Sequence, residues 1–315
     1  MMMNNMKKLC DIPPGTTITG KWNKQSYHVL RKLGEGANGI VYLADFGGRL
    51  VALKISDNYT SIASEMNVLK SFSKVQGSSL GPYLLHGDDW IRNAKSMPFY
   101  VMEYIKGEEL IQFTKNKGKE WIEVLVLQLL TSLHKMHREG WIFGDLKPEN
   151  LLVTLPEYKI RCVDVGGTTM IGRSVKEFTE FFDRGYWGLG SRKAEPSYDL
   201  FAVAMIMVNV YYPQRFTKKI GQPNQLINLI SNTKELNRYK TVLATAIMGK
   251  YTNSLQMRSD LLKVVEATER TATRTKVQVK KKVVKKKSSA LGETVILLLI
   301  VCCLYGLYIY TQVLG

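Results

Sequence analysis

Cysteine and histidine are scarce in this chain of 315 residues, four of each, and neither is arranged for chemistry. Cys10 stands near the start, Cys162 in a short apolar run, and Cys302 and Cys303 in a terminal hydrophobic stretch. That scatter builds no disulfide framework and fits a reducing compartment. His134 and His137 lack metal-ligand spacing and are expected to pack or cap a helix. No internal repeat is visible, and the opening MMMNNMKKLC has none of the hydrophobic core that a secretory signal needs. Acids are also in short supply, 27 Asp and Glu against 44 Lys and Arg, for a formal charge of +17. The deficit is local: Arg270 to Lys287 holds nine basic residues and no acid, and Glu293 is the only acid beyond it. Roughly half of the positive excess therefore lies in one short tract. A hydrophobic content of 45% excludes a disordered polymer and is enough for one large domain or two lobes.

The chain lacks long hydrophobic runs until its end. Thr294 to Gly315 carries no charge, and VILLLIVCCLYGLYIY, Val295 to Tyr310, is almost entirely apolar. A bilayer-spanning helix needs about 20 such residues, and tyrosines cluster at the far end, where an interfacial belt would lie. No amphipathic stripe marks it as a core helix. The expectation is a single-pass segment over residues 291–313, with the basic flank 270–290 keeping the preceding chain in the cytoplasm at the cell membrane. The tract itself, Arg270, Arg274, Lys276, Lys280, Lys281, Lys282, Lys285, Lys286 and Lys287, supports three readings. It is a plain topogenic flank, a ligand for anionic lipid, or a non-specific, salt-sensitive ligand for DNA. It has no interleaved aromatics for base stacking.

The chemistry-bearing stretch is FGDLKPENLL, Phe143 to Leu152, followed after a short strand by Asp164-Val165-Gly166. Phosphoryl transfer needs a carboxylate for the hydroxyl proton, a cation beside the moving phosphoryl, and oxygen ligands for a divalent metal. Asp145, Lys147, Asn150 and Asp164 suit those four roles. Upstream, YHVLRKLGEGANGIVYLADFGGRLVALKIS predicts strand, glycine-rich turn, strand, Gly-Gly hairpin and strand. Gly34, Gly36 and Gly39 have the spacing of a loop whose amides approach phosphate oxygens. Because this loop joins two strands, a dinucleotide site is not indicated. Lys54 on the third strand is placed to reach phosphates, and Ala52 is small enough to border an adenine. Ser61 to Val75 has helical spacing and presents Glu65 as the partner of Lys54. A strand over Phe99 to Ile105 leads into a connector suited to adenine, with Met102 limiting the pocket's depth. Trp121 to Glu139 is a long helix with Leu125, Leu129, Leu130 and Leu133 at core spacing. Tyr198 to Tyr212 is a second buried helix, with Asp199 near its start. Residues 167–190 are irregular, a candidate loop.

In this order, over residues 28–269, these pieces resemble the eukaryotic-type (Hanks) serine/threonine protein kinases. The resemblance implies an α+β bilobal protein-kinase fold, a β-rich N-lobe at about 28–105 and a helical C-lobe at about 106–269, followed by one C-terminal transmembrane helix. Residues 1–27 would be a leader. It implies ATP and Mg2+ (or Mn2+) as cofactors and protein substrates as partners. Gly34, Glu35, Gly36, Ala37, Asn38, Gly39 and Val41 then form the glycine-rich loop. Ala52, Lys54, Glu65, Met102, Glu103, Tyr104, Glu109 and Leu152 complete the nucleotide site. Asp145 and Lys147 are catalytic, Asn150 and Asp164 bind metal, and Asp199 supports the catalytic loop. Thr168, Thr169, Ser174 and Thr179 are candidate phosphosites. The basic flank and anchor resemble a small, membrane-attached, DNA-associated branch of that family in spore-forming bacilli. Three features depart from the pattern. Phe143-Gly144 replaces the His-Arg that usually precedes the aspartate, Val165 replaces the Phe of D-F-G, and GYWGLGSRKAEPSYD stands where A-P-E is usual. Glu195 lies too close to Asp199 for assignment, with Arg258 as the suggested salt-bridge partner of the substrate platform. The alternative function is a catalytically silent, membrane-tethered scaffold that binds nucleotide or DNA.

Overall fold

Alternating apolar residues build the first layer. Tyr27 and Val29 on β2 (Ser26–Gly36), then Ile40, Tyr42 and Ala44 on β3 (Gly39–Phe46), point to one face and are buried, as period-two spacing requires. The structure, a computed structural model, describes residues 10–36, 38–74, 80–268, 270 and 290–314. β1 (Thr17–Thr19), β4 (Arg49–Ile55), β5 (Leu84–Arg92) and β6 (Lys95–Glu103) complete a six-stranded sheet ordered β1-β2-β3-β4-β6-β5. Every pairing in it is antiparallel. Helix α1 (Tyr59–Lys74) packs on β5 and β6 through Ile62, Val68, Leu69 and Phe72.

The stretch expected as a leader differs from that expectation. Cys10, Ile12 and Ile18 are buried in the sheet's core. The Tyr42 hydroxyl ties that stretch down, donating to Cys10 O and accepting from Ile12 N–H, each at 2.8 Å. Burial raises the Cys10 thiol to about 11 and the Cys162 thiol well above its ordinary value, so both behave as packed, inert cysteines.

The helical part is organised by α3 (Trp121–Arg138), preceded by α2 (Leu110–Lys117). In α3, Ile122, Leu125, Val126, Leu129, Leu130, Leu133 and Met136 bury a single stripe. Each such side chain contributes about 1.5–3 kcal/mol. After the short α4 (Arg184–Trp187), α5 (Pro196–Tyr211) is buried on all sides from Tyr198 to Val210, as a helix apolar all round must be. It packs against α3, and the chain continues through α6 (Gln225–Asn232), α7 (Lys234–Asn237) and α8 (Lys240–Ile247), of which α7 and α8 contact it; a helix at 254–268 follows. Short strands set the site: β7 (Gly107–Glu109), β9 (Leu151–Thr154) and β10 (Lys159–Cys162) form one small sheet. β8 (Trp141–Ile142) pairs with β11 (Thr169–Met170).

The chain divides into two compact units, 1–262 and 263–315. In the second, α10 (Ala290–Leu314) contains a 20-residue stretch, Gly292–Thr311, of mean hydropathy 2.2 with none of it buried. At 1.5 Å per residue that stretch is about 30 Å long, the thickness of a bilayer's hydrocarbon core. Of the basic tract, Arg270 pairs with Glu266. Arg274, Lys276, Lys280, Lys281, Lys282, Lys285, Lys286 and Lys287 lie outside the described residues.

Candidate active site

The glycine-rich turn forms one wall of a cleft. β2 and β3 stay paired to Gly36 opposite Gly39, through register shifts between Val29 and Arg31 and between Lys32 and Gly34, and Ala37 at the tip lies outside the described residues. Gly39 has φ +133, and a Cβ there would lie 2.3 Å from Ile55 O, so no side chain fits. A Cβ at Gly34 or Gly36 would meet nothing within 4 Å, and both glycines line the cleft, so no side chain at either position crowds the space beneath the turn. Behind the turn, Lys54 is buried and its Nζ lies 2.6 Å from Glu65 Oε2 and 3.7 Å from Asp164 Oδ1. Tyr100 and Ser61 donate to the two oxygens of Glu65, at 2.7 and 3.2 Å, and so aim it. Burial works against the charge on Lys54, but Asp164 and then Glu65 more than offset it and raise its pKa above the ordinary lysine value.

The loop from Phe143 to Asn150 forms the floor. It hangs on Asp199, which is fully buried at the start of α5 and accepts from Phe143 N–H at 2.8 Å and Gly144 N–H at 3.0 Å. His137 Nε2 sits 2.9 Å from the same carboxylate and its Nδ1 is 3.0 Å from Ser254 Oγ, so this histidine packs as expected and also orders the loop. Gly144 has φ +84, with a Cβ position 2.5 Å from Gly167 O. The arginine that the family usually places there has no room in this backbone. Asp145 pairs with Lys147 Nζ through Oδ2 and accepts from Thr179 Oγ1 through Oδ1 at 3.0 Å. Asn150 donates through Nδ2 to Asp145 O at 2.9 Å, which leaves its amide oxygen for a ligand. The Asp164 side chain is about half exposed, at 48%, and Gly166 N–H donates to its Oδ1 at 3.0 Å.

Between these walls lies a cleft of about 870 Å³. Val41, Ala52, Met102 and Leu152 give it apolar walls, with Tyr104 and Glu109 also lining it. Ala52 stands opposite Met102 in the β4–β6 pairing, and Leu152 opposite Glu109 in the β7–β9 pairing. Glu103 lines the cleft, while its carboxylate is committed to Arg161.

A family profile described as a protein kinase domain matches residues 27–270. The chain belongs to the protein kinase family. Serine/threonine-protein kinase YabT of Bacillus subtilis (strain 168) is 56% identical over 256 residues, 80% of this chain and 75% of that protein. Serine/threonine-protein kinase RIM15 of Saccharomyces cerevisiae is 31% identical over 136 residues, 41% of this chain and only 8% of the yeast protein. Vaccinia related kinase 3 superposes with a TM-score of 0.61 at 14% identity, covering 85% of this chain and 97% of that one. That likeness shows the fold. The protein is a serine/threonine protein kinase with a bilobal kinase fold and one C-terminal helix long and apolar enough to cross a membrane.

The kinase's least regular stretch, 167–195, holds what the sequence did not reveal. Lys176 Nζ donates to Ser64 Oγ on α1 at 3.0 Å, Asn38 Nδ2 donates to Glu177 Oε1, and Thr179 sits on Asp145. Residues 176–179 thus line the cleft and touch α1, the glycine-rich turn and the floor in succession. Burial, then the facing Asp164, raise the pKa of Glu177. The four candidate phosphosites separate. Thr168 and Thr169 are buried, Thr169 within β11, and Thr179 is engaged with Asp145 and Lys147. In this conformation those threonines are not presented for modification; Ser174 is exposed. Where A-P-E is absent, buried Asp183 organises the chain. It accepts from Gly185 and Tyr186 N–H, both at 3.0 Å, from Arg192 Nε at 2.8 Å and from the Tyr198 hydroxyl at 2.9 Å. Glu195, which the sequence left unassigned, pairs with Arg184 at 2.6 Å. The only sequence signal was an Asp just before Arg-Gly-Tyr, suited to an N-cap.

Proposed function

We propose that the cleft binds ATP and transfers its γ-phosphoryl to serine or threonine hydroxyls of proteins, with residues 28–269 as the catalytic domain. One observation carries this: Lys54, poised between Glu65 and Asp164, faces the same cleft as Asp145, Lys147 and Asn150. Asp145 receives or orients the hydroxyl proton, and Lys147 beside it stabilises charge on the moving phosphoryl. Lys54, kept charged by its two carboxylate neighbours, grips phosphate oxygens beneath the glycine-rich turn, where Gly34 and Gly36 leave the space uncrowded. Asn150, through its remaining amide oxygen, and the half-exposed Asp164 carboxylate form a donor set suited to a hard divalent ion, Mg2+ or Mn2+. Such an ion, when bound, offsets phosphate charge.

The apolar C-terminal helix anchors the kinase at the cell membrane with its catalytic domain cytoplasmic, as the basic flank favours. The flank is also a non-specific ligand for polyanions, with DNA and anionic lipid as its two candidate partners. The resemblance to spore-former kinases favours DNA as a localising or activating ligand, and it extends the kinase's setting to sporulation.

Replacing Asp145 with Asn keeps the shape of the floor and removes the proton acceptor. Transfer of labelled phosphate from ATP to a generic basic protein is expected to fall at least about 100-fold, the usual weight of general-base catalysis. Unchanged transfer would dismiss the assignment, and absence of transfer in the unaltered chain would favour the silent scaffold.

A further inference from the structure

Arg161 lies outside every catalytic motif and does not line the cleft, yet three pieces of the nucleotide site meet on it. It stands on β10 opposite Leu152 of the cleft wall and three residues before Asp164. Its Nη1 donates to Glu103 Oε1 at 3.1 Å and its Nη2 to Glu103 Oε2 at 2.7 Å. Nη2 also donates to Gly81 O at 2.9 Å, next to Pro82 of the cleft lining. Both side chains are largely buried, 13% and 21% exposed. The Arg161 Nε is buried without a partner among the described residues, so the fork's two ends carry the whole interaction.

A guanidinium fork fixes both the position and the plane of a carboxylate, which a lysine cannot do. The backbone of Glu103 is held independently by its N–H, which donates to Tyr83 O at 3.0 Å. The last residue of β6 is thus clamped at side chain and main chain. The connector residues Glu103, Tyr104 and Ile105 all line the cleft. Their backbone is the polar edge available to a purine base between the walls of Ala52, Met102 and Leu152.

We propose that Arg161 is a positioning residue for nucleotide binding: by holding Glu103 and Gly81 together it sets the connector against which the base lies, without touching the nucleotide. This rests on the nucleotide-cleft reading above. It predicts a binding defect, whereas a defect in the phosphoryl-transfer machinery would appear in kcat.

The test uses the full chain in detergent micelles, with ADP affinity by calorimetry and steady-state transfer from ATP. Arg161→Met leaves the Glu103 carboxylate buried without its partner. It is expected to raise the ADP Kd and ATP KM about tenfold or more, equivalent to about 1.4 kcal/mol, with kcat at saturating ATP within about twofold. The pair Glu103→Met with Arg161→Met removes the stranded charge and should recover most of the affinity. Arg161→Lys, which keeps charge but not the fork, should fall between and guards against misfolding of the methionine variant; melting temperatures are read alongside. Unaltered ADP affinity in Arg161→Met, or in Arg161→Lys if the methionine variant does not fold, would overturn the proposal. So would a loss confined to kcat, or a double variant as weak as the single one. An unaltered chain that binds no ADP would overturn the nucleotide-cleft reading instead.

Discussion

Gly144 shows how one backbone conformation excludes a familiar side chain. Its φ of +84 and the proximity of Gly167 O to its Cβ position make any residue with a side chain costly, and its N–H is one of two that hold Asp199. Restoring the usual arginine by Gly144→Arg should therefore damage the kinase. The left-handed conformation alone costs about 1–2 kcal/mol, and the overlap adds to it. A lower melting temperature together with reduced phosphate transfer is the expected result; full activity at an unchanged melting temperature would contradict this steric account. Glu177 is the electrostatic counterpart. Burial and then Asp164 raise its pKa, with Glu65 and Asp145 adding and Lys54 opposing. The folded kinase thus binds this proton more tightly than the unfolded chain does. Its contribution to stability is present below the unfolded pKa and is lost as pH rises through the raised folded value. Glu177→Gln keeps an oxygen for Asn38 and removes the charge, so it should raise the melting temperature at neutral pH, with the gain fading in acid. A gain independent of pH would rule out the charge as its cause.

At the scale of elements, what the sequence revealed depended on whether a partner lies within one periodic segment or far along the chain. The helices Trp121–Arg138 and Pro196–Tyr211 fell within two residues of their expected bounds because apolar spacing and burial agree. Lys54 and Glu65 were legible because a lysine on a strand and a glutamate on the next helix are a short, ordered step apart. By contrast, Asn38 meets Glu177 across 139 residues and Arg161 meets Glu103 across 58, and no local pattern marks either meeting. Cys10 and Ile12 in the sheet core escaped for the same reason: a two-residue apolar signal before a Pro-Pro-Gly turn has no period. Asp183 is the clearest case. Its four donor groups come from Gly185, Tyr186, Arg192 and Tyr198, so it joins α4 to α5 where the usual tripeptide is missing. Asp183→Asn would turn an amide NH2 toward those donors and leave Arg192 without its counter-charge. A loss of about 3 kcal/mol is expected for breaking such a buried network, lowering the melting temperature by about 6–12 °C at this size. A shift under about 2 °C would show that another residue organises the segment.

For the whole molecule, charge and hydropathy divide the labour along the chain. The compact unit ending at residue 262 holds the cleft, while the tail brings together nine basic residues and then a 20-residue apolar stretch. A polyanion held by the tract releases condensed counterions, so log K for duplex DNA should fall with log salt at about 0.9 per phosphate neutralised. If all nine basic residues from Arg270 to Lys287 engage phosphates, the slope approaches about −8. Replacing Lys285, Lys286 and Lys287 with Gln should then reduce its magnitude by about 2–3, with the folded kinase and its basal phosphate transfer unaltered. Fluorescence anisotropy of a labelled duplex with the full chain in detergent, between about 50 and 200 mM salt, measures this directly. Anionic vesicles separate the alternative, since each lysine near such a surface is worth about 1 kcal/mol. A DNA slope that does not respond to the three substitutions, beside a vesicle affinity that does, would assign the tract to lipid. A reduced DNA slope and a reduced vesicle affinity in the same variant would show one polycation serving two anionic surfaces, because the attraction requires only phosphate density and not the identity of what carries it.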